Sequence, residues 1–332
     1  PAAAAFVLLV DHFDDLILND YLDIATYTDA LEALGVSYEV WNVADQGRAP
    51  GFDDLRPYAV VIWRVSEFFP SLSAADAKAI RDYIDGGGGL FMASMELLTR
   101  LDESGLAGFR RTVLRVADDY DVDPGVEGVF GVDHLSMTSG VDMALDFSEF
   151  PDLFIIPQDL SDTFRPTTNA APILFDATTG RAAGVRSPRP GEDAPGRVVF
   201  FSFPFDAVPD GDAPNGRVSL LGSVLEFLAP AAIPGVTLEL DRGEYTVPAL
   251  VTLDLVDPRA AGQGTVTARM TSSFDATGVQ VALTETARPG RFRGRVALVP
   301  STNAPAAGEL RVRDADLLEV IVNPAPPQTP VR

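Results

Sequence analysis

The sequence predicts two domains in series, an α/β domain built on a parallel sheet and an all-β sandwich. Three observations predict this arrangement. Over the first two thirds of the chain, continuous apolar runs alternate with amphipathic segments. In the last third, apolar and polar residues alternate one by one. A segment rich in Pro and Gly separates these two parts. We place the α/β domain at 1–230, a linker at 231–235, the sandwich at 236–323 and a proline-rich tail at 324–332.

The first domain is predicted from apolar runs of the kind that form strands buried on both faces. The predicted strands lie at 6–10, 37–41, 58–63, 90–93 and 197–203, and the predicted helices at 23–34, 74–85 and 218–228. The glycine run 86–89 follows a helix and precedes a strand, so we interpret it as a helix C-cap and tight turn rather than a phosphate loop. Between 113 and 195 the sequence predicts only short strands and loops.

The last third alternates apolar and polar residues and carries turn residues at regular intervals. This pattern is typical of an antiparallel sandwich of short strands. The seven predicted strands lie at 236–240, 246–255, 265–271, 279–284, 291–299, 309–312 and 317–322.

Charge and composition exclude several classes of partner. The 332-residue chain has a net charge of −23, nearly all of it in 1–230, because 231–332 carries 11 acidic and 10 basic residues. Nucleic acid and anionic membrane surfaces attract cationic patches, so we expect neither as a partner. No apolar run is long enough for a membrane span, and no membrane insertion is expected. The absence of cysteine favours an exported protein, extracellular, at the cell surface or periplasmic, and the proline-rich ends predict tethers to something larger.

Several stretches resemble known bacterial modules. Four stretches within residues 5–230 resemble the class I glutamine-amidotransferase-like module of large secreted proteins. They are VLLVD, YAVVIWR, AIRDYIDGGGGLFMAS and GRVVFFSFPFDAV. The resemblance implies a flavodoxin-like parallel sheet with helices on both faces. The stretch TSSFDATGVQVALTETARPGRFRGRVALV resembles an immunoglobulin-like repeat of bacterial surface proteins, which implies an immunoglobulin-like antiparallel β-sandwich.

The same resemblance directs attention to the turn after the fourth predicted strand. Active members of the group carry a nucleophilic cysteine there, whereas this chain carries Ser94. A serine needs a positioned base, and a nucleophile elbow needs small residues two positions away on either side, where this chain has Met92 and Glu96. Only His12 and His134 could serve as the base. A serine hydrolase or peptidase that uses Ser94 and His134 is therefore the catalytic alternative.

Three acidic segments, 206–215, 118–123 and 11–15, are candidate cation sites, the first two for calcium. Calcium prefers carboxylate and amide oxygens, which favours a loop formed by Asp206, Asp210, Asp212 and Asn215, although the Glu that closes an EF-hand is missing. A calcium-stabilised adhesin-like module is the second alternative, and calcium is the one cofactor considered. The segment 11–15 also carries Asp and His, but it lacks the spacing of zinc ligands.

The residues favour an interaction module over an enzyme. We predict a non-catalytic, structural or interaction module of a larger secreted or cell-surface protein or assembly, whose partners are other domains or subunits. The contacts are expected at loops that follow parallel strands, through Phe68, Phe69, Asp14 and Asp15, because ligands bind at that edge of such sheets.

Overall fold

The structure is a computed structural model that describes residues 7–14, 22–67, 72–150, 159–229, 237–257, 260, 262–287, 290–303 and 306–322. Contacts divide the chain into two compact units, Pro1–Asp133 with Met137–Ala229, and His134–Ser136 with Pro230–Arg332. The predicted linker 231–235 and tail 324–332 lie outside the described residues. No helix in the described ranges is long and apolar enough to cross a membrane.

The first unit contains eleven strands and seven helices in its described part. The strands are β1 (Val7–His12), β2 (Tyr38–Asn42), β3 (Val60–Val65), β4 (Gly89–Ala93), β5 (Val116–Asp121), β6 (Gly128–Gly131), β7 (Asp142–Ala144), β8 (Thr163–Pro166), β9 (Ala171–Asp176), β10 (Ala182–Ser187) and β11 (Arg197–Phe201). The helices are α1 (Ala25–Ala33), α2 (Val43–Gln46), α3 (Phe52–Leu55), α4 (Ala74–Asp85), α5 (Leu97–Glu103), α6 (Ala107–Thr112) and α7 (Arg217–Leu228).

The sheet of the first unit is mixed, so the predicted flavodoxin-like parallel sheet is wrong as a description of the whole. Strands β2, β1, β3, β4 and β11 are parallel neighbours in that order. Strand β10 then pairs antiparallel with β11, and β9, β6 and β7 continue the sheet antiparallel, while β8 and β5 branch from β10. Within 113–150 and 159–195, the parts of this segment that the structure describes, no crossover helix of the kind that parallel pairing requires is present, and the short strands extend the sheet as antiparallel neighbours.

Helices cover both faces of the parallel half. On one face α4, α5 and α6 pack on alternate residues of β1, β3, β4 and β11 in a single hydrophobic core that includes Trp63 and Phe200. On the other face, Tyr27 of α1 packs on Phe205, which in turn packs edge-on against Phe91 of β4. Gly87 has a φ of 103° directly after α4, so the glycine run forms the predicted helix end and turn.

The second unit contains one sheet, so the predicted immunoglobulin-like sandwich is wrong. Seven strands form close to their predicted positions: β12 (Thr237–Leu240), β13 (Ala249–Val256), β14 (Thr265–Ser272), β15 (Val279–Glu285), β16 (Arg291–Pro300), β17 (Glu309–Val312) and β18 (Leu318–Val322). They join in the order β12-β13-β16-β15-β14-β18, and β17 pairs parallel with β16. The ten-residue β16 pairs with three strands, which lets the sheet curl into a half-barrel around its own apolar face.

Candidate functional site

The candidate site lies at the carboxyl ends of the parallel strands, the edge at which ligands bind in open α/β sheets. Ser94 follows β4 directly, and Glu67 lies two residues beyond the end of β3. The interior of these strands is apolar, so the first polar side chains after them gather at this edge.

The Ser94 hydroxyl is buried and held by hydrogen bonds. It donates to Oε2 of Glu67 at 2.7 Å and accepts the N–H of Leu97 at 3.1 Å, which begins α5. Ser94 has no exposed surface and Glu67 is 3% exposed. Ser94 therefore acts as a residue at the start of a helix: its hydroxyl donates a hydrogen bond to a carboxyl group, and its oxygen is not presented to solvent.

The backbone donors beside Ser94 are also occupied. The N–H groups of Met95 and Glu96 donate to the same Oε2 of Glu67, at 2.9 and 3.3 Å. An oxyanion hole needs such donors aimed at the position where charge develops during reaction. Here the carboxyl group of Glu67 fills that position, so the two backbone N–H groups bind a side chain of the protein itself.

Burial shifts the protonation of this group toward the neutral form. Burial raises the pKa of Glu67 to about 8, although the hydrogen bonds from Ser94 and the Glu96 and Met95 amides lower it. Because Oε2 accepts three hydrogen bonds, the proton of the neutral form belongs on Oε1. At neutral pH the group is therefore a buried carboxylic acid.

A second buried acid, Asp162, lies near Glu67. Its Oδ1 accepts the N–H of Asp123 at 3.1 Å, and its Oδ2 has no hydrogen-bond partner among the described residues. Burial and, to a smaller extent, the charges of Asp123, Glu96 and Glu67 raise the pKa of Asp162 to about 8, although the hydrogen bond from the Asp123 N–H lowers it. Burial also raises the pKa of Glu96 to about 7, opposed by Arg100, which binds it at 2.7 Å. Protonation removes most of the repulsion among these carboxyl groups.

The end of β1 is committed to an ion pair. Arg64 of β3 is 5% exposed, donates to Oδ1 of Asp11 at 3.0 Å and to the carbonyl of Leu22 at 2.9 Å, and lies 3.9 Å from the centre of the Phe13 ring. The other oxygen of Asp11 accepts the Asn42 amide at 3.2 Å. Asp11 thus positions Arg64 instead of offering free oxygens to a metal ion.

The other residues predicted at this edge have mixed placements. Asp14 is exposed, and its N–H donates to Ser66 Oγ at 2.8 Å. His12 is half-buried, and burial lowers its pKa. The predicted contact residues Asp15, Phe68 and Phe69 lie outside the described residues. Ser94 belongs to the first unit and His134 to the second, so their pairing stays a prediction.

The predicted calcium loop is held by other contacts. Asp210 forms an ion pair with Arg217 at 3.2 Å, and the Asn215 side chain accepts the N–H of Asp142 at 2.8 Å. Asp212 contributes its backbone carbonyl to the turn, and burial raises the pKa of Asp206. Within the described residues, no three His, Asp or Glu side chains are grouped as a metal site.

Sequence reasoning missed Glu67 and Asp162. Glu67 could have been noticed because Val65-Ser66-Glu67 ends an otherwise apolar run at the ligand edge of the sheet. Asp162 carried no such signal, because it precedes a short strand in the segment where only loops and short strands were predicted.

Comparisons with known proteins give only distant likenesses. No family model matches the chain, and no curated protein matches it. A cytoplasmic protein from Salmonella typhimurium is 17% identical, with 68% of this chain and 99% of that one covered and a TM-score of 0.44. A ThuA-like protein from Bacteroides uniformis is 11% identical over 68% and 93%, with a TM-score of 0.42.

A β-galactosidase from Bacillus circulans sp. alkalophilus is 14% identical, with 88% of this chain covered and a TM-score of 0.42. This chain spans 41% of the length of that enzyme. With TM-scores no higher than 0.44, these likenesses carry no argument about activity. The resemblance to amidotransferase-like modules stays a prediction.

Proposed function

We propose that this chain is a non-catalytic interaction or structural module of a larger secreted or cell-surface protein or assembly, with a degenerate amidotransferase-like site. One observation carries the proposal: the carboxyl group of Glu67 holds the Ser94 hydroxyl and the two backbone N–H groups beside it. A nucleophile and its oxyanion donors cannot serve a substrate while an internal group binds all three.

The burial of Ser94 supports the same conclusion. A serine nucleophile must reach the substrate carbonyl and pass its proton to a base that is neutral in one step and charged in the next. Ser94 has no exposed surface, and its proton points to a carboxyl group that burial keeps neutral near pH 7. A neutral carboxylic acid cannot accept that proton.

A fluorophosphonate probe separates this proposal from the serine hydrolase alternative. We expect no label on Ser94 in the wild-type protein between pH 7 and pH 9, with Ser94→Ala as the blank. A label on Ser94 in the wild type, found by peptide mass spectrometry and absent from the blank, would overturn the proposal. A label that appears only in Glu67→Ala supports it, because that variant removes the group that occupies the donors.

The interaction half of the proposal is tested by site-specific crosslinking. The chain has no cysteine, so one introduced cysteine can carry a photocrosslinker, and the labelled chain is then added to an extract of its native cells. Asp14→Cys places it at the carboxyl end of β1, and Arg56→Cys places it on an exposed residue before the amino end of β3. We expect one defined adduct from position 14, competed by the unmodified chain, and none from position 56. Equal adducts from both positions would contradict the assignment of this edge.

A further inference from the structure

The first unit has a groove away from the carboxyl ends of the parallel strands. Two arginines line this groove, although the protein as a whole is strongly acidic. The groove has a volume of about 590 Å³ and lies between the end of α4 and the end of α6. Its lining includes Arg81, Ile84 and Asp85 from α4, and Val113 and Arg115 after α6. The chain carries a net charge of −23, so a concave surface with more cationic than anionic side chains is unusual on it.

Neither groove arginine makes an ion pair or a side-chain hydrogen bond with any described residue. Two other arginines near the groove, Arg110 and Arg111 of α6, do make such contacts: both form ion pairs with Asp118, at 2.9 and 3.0 Å. The Nε of Arg115 is buried and has no hydrogen-bond partner within the described ranges. A buried guanidinium N–H without a partner is costly, and a bound acceptor would remove that cost.

The backbone of Arg115 is also held in an uncommon conformation. Its φ is 66°, in the left-handed region that residues other than Gly, Asn and Asp rarely adopt. The carbonyl of Arg115 accepts the N–H of Thr167 at 2.7 Å, which fixes the chain before β5.

Capping of the two helix ends does not account for these side chains. Carbonyl groups at a helix C-terminus attract cations, and both α4 and α6 end at the groove. If Arg81 and Arg115 were there as caps, their guanidinium groups would donate to these carbonyls. No such bond occurs among the described residues. Among the described residues that line the groove, Asp85 is the one acidic side chain beside two arginines, which leaves one positive charge in excess.

We propose that this groove binds a small organic monoanion, a carboxylate with an apolar body, between the guanidinium groups of Arg81 and Arg115. A planar carboxylate matches the fork of a guanidinium group. The apolar body would lie on Ile84 and Val113. One excess positive charge matches a monoanion better than a dianion, which Asp85 would repel.

The test uses benzoate as the probe and amide chemical shifts of the whole chain as the measurement. We expect saturable shifts at residues 81–85 and 112–115 with benzoate, and none with benzamide, its neutral isostere. Arg115→Asn should weaken benzoate binding at least about tenfold, because it removes charge-assisted hydrogen bonds. Asparagine tolerates the left-handed backbone, so this variant is expected to keep the fold.

Arg81→Gln gives an independent variant, since Arg81 is exposed on α4 and its loss leaves the fold intact. It should weaken benzoate by a similar factor. Arg295→Gln on β16 is the matched control, an exposed arginine of the second unit, and should leave the affinity unchanged. Equal benzoate affinity in the wild type and both groove variants would overturn the proposal. So would shifts elsewhere on the chain, or binding of inorganic phosphate in place of benzoate.

Discussion

Replacing Glu67 by glutamine should make the first unit more resistant to unfolding at neutral and alkaline pH, and hardly at all in acid. Glutamine keeps the shape of the neutral acid, and its carbonyl oxygen can accept the three hydrogen bonds that Oε2 accepts now. What the substitution removes is a group that must either hold a proton or place a charge in the interior.

The magnitude follows from the pKa of Glu67. The folded protein raises it from 4.5 to about 8, and one unit corresponds to about 1.4 kcal/mol. Below pH 4.5 both folded and unfolded chains hold the proton, so the group contributes nothing. Between pH 4.5 and pH 8 the unfolded chain releases the proton and the folded chain keeps it, so stability falls as pH rises. The loss reaches about 3 kcal/mol at pH 7 and at most about 5 kcal/mol above pH 8.

Urea unfolding at pH 5, 6, 7 and 8 measures this effect. Both tryptophans belong to the first unit, and Trp63 is fully buried in β3, so their fluorescence reports on its unfolding. We expect the advantage of Glu67→Gln over wild type to grow with pH. The exposed Glu149→Gln serves as the control and should show no such growth. An advantage that is the same at pH 5 and pH 8, or a loss at pH 8, would refute the reasoning.

Three further substitutions test other contacts. Arg64→Met leaves the carboxylate of Asp11 without its cation. The free energy of unfolding of the first unit, measured with urea, should fall by about 3–5 kcal/mol. An unchanged midpoint would mean that this ion pair contributes nothing to stability. Asp254→Ala removes a buried carboxylate whose pKa its two arginine partners lower despite burial. Protection factors of the β13 and β16 amides, in which the intrinsic exchange rate is divided out, should be lower in the variant, and in the wild type they should fall as pH drops below about 3.8, where the folded carboxylate takes up its proton. Unchanged protection factors would argue against this pair. Gly88→Ala places a Cβ 2.1 Å from the ring of Tyr83 on α4 and should lower the free energy of unfolding, measured by thermal unfolding, by about 1–3 kcal/mol. Unchanged stability would contradict this close approach.

The parallel half of the first unit could be predicted because four of its five strands contain a run of apolar residues. Strands β1, β3, β4 and β11 each carry four consecutive apolar residues, and burial on both faces explains these runs. Strand β10 shows why the rest was missed. It is buried along its whole length, yet its sequence is Ala-Ala-Gly-Val-Arg-Ser, and its buried Arg186 lies 4.7 Å from the Phe227 ring. A run of small and charged residues does not predict a buried strand.

The second unit shows a different limit of sequence reasoning. Alternation along β13 and β16 correctly indicates which side chains face an apolar core. It does not indicate whether a second sheet or the curled remainder of the same sheet lies opposite, since both bury the same residues. The sandwich prediction failed at that step.

Only one half of the candidate site could be found from the sequence. The position of Ser94 could be predicted from the turn after β4, and Met92 and Glu96 stand two positions away on either side, where a nucleophile elbow needs small residues. The partner of Ser94, Glu67, is 27 residues away in sequence. Their contact depends on β3 and β4 being neighbours in the sheet, and no local pattern encodes it.

Carboxyl ¹³C NMR of the wild-type protein, with the Glu67 signal assigned by its loss in Glu67→Gln, tests the central claim most directly. If this side chain is a buried acid that holds the Ser94 hydroxyl, its signal should titrate with a midpoint of about 8. A midpoint near 4.5 would mean that the group is ionised at neutral pH and would contradict the account of a buried neutral acid.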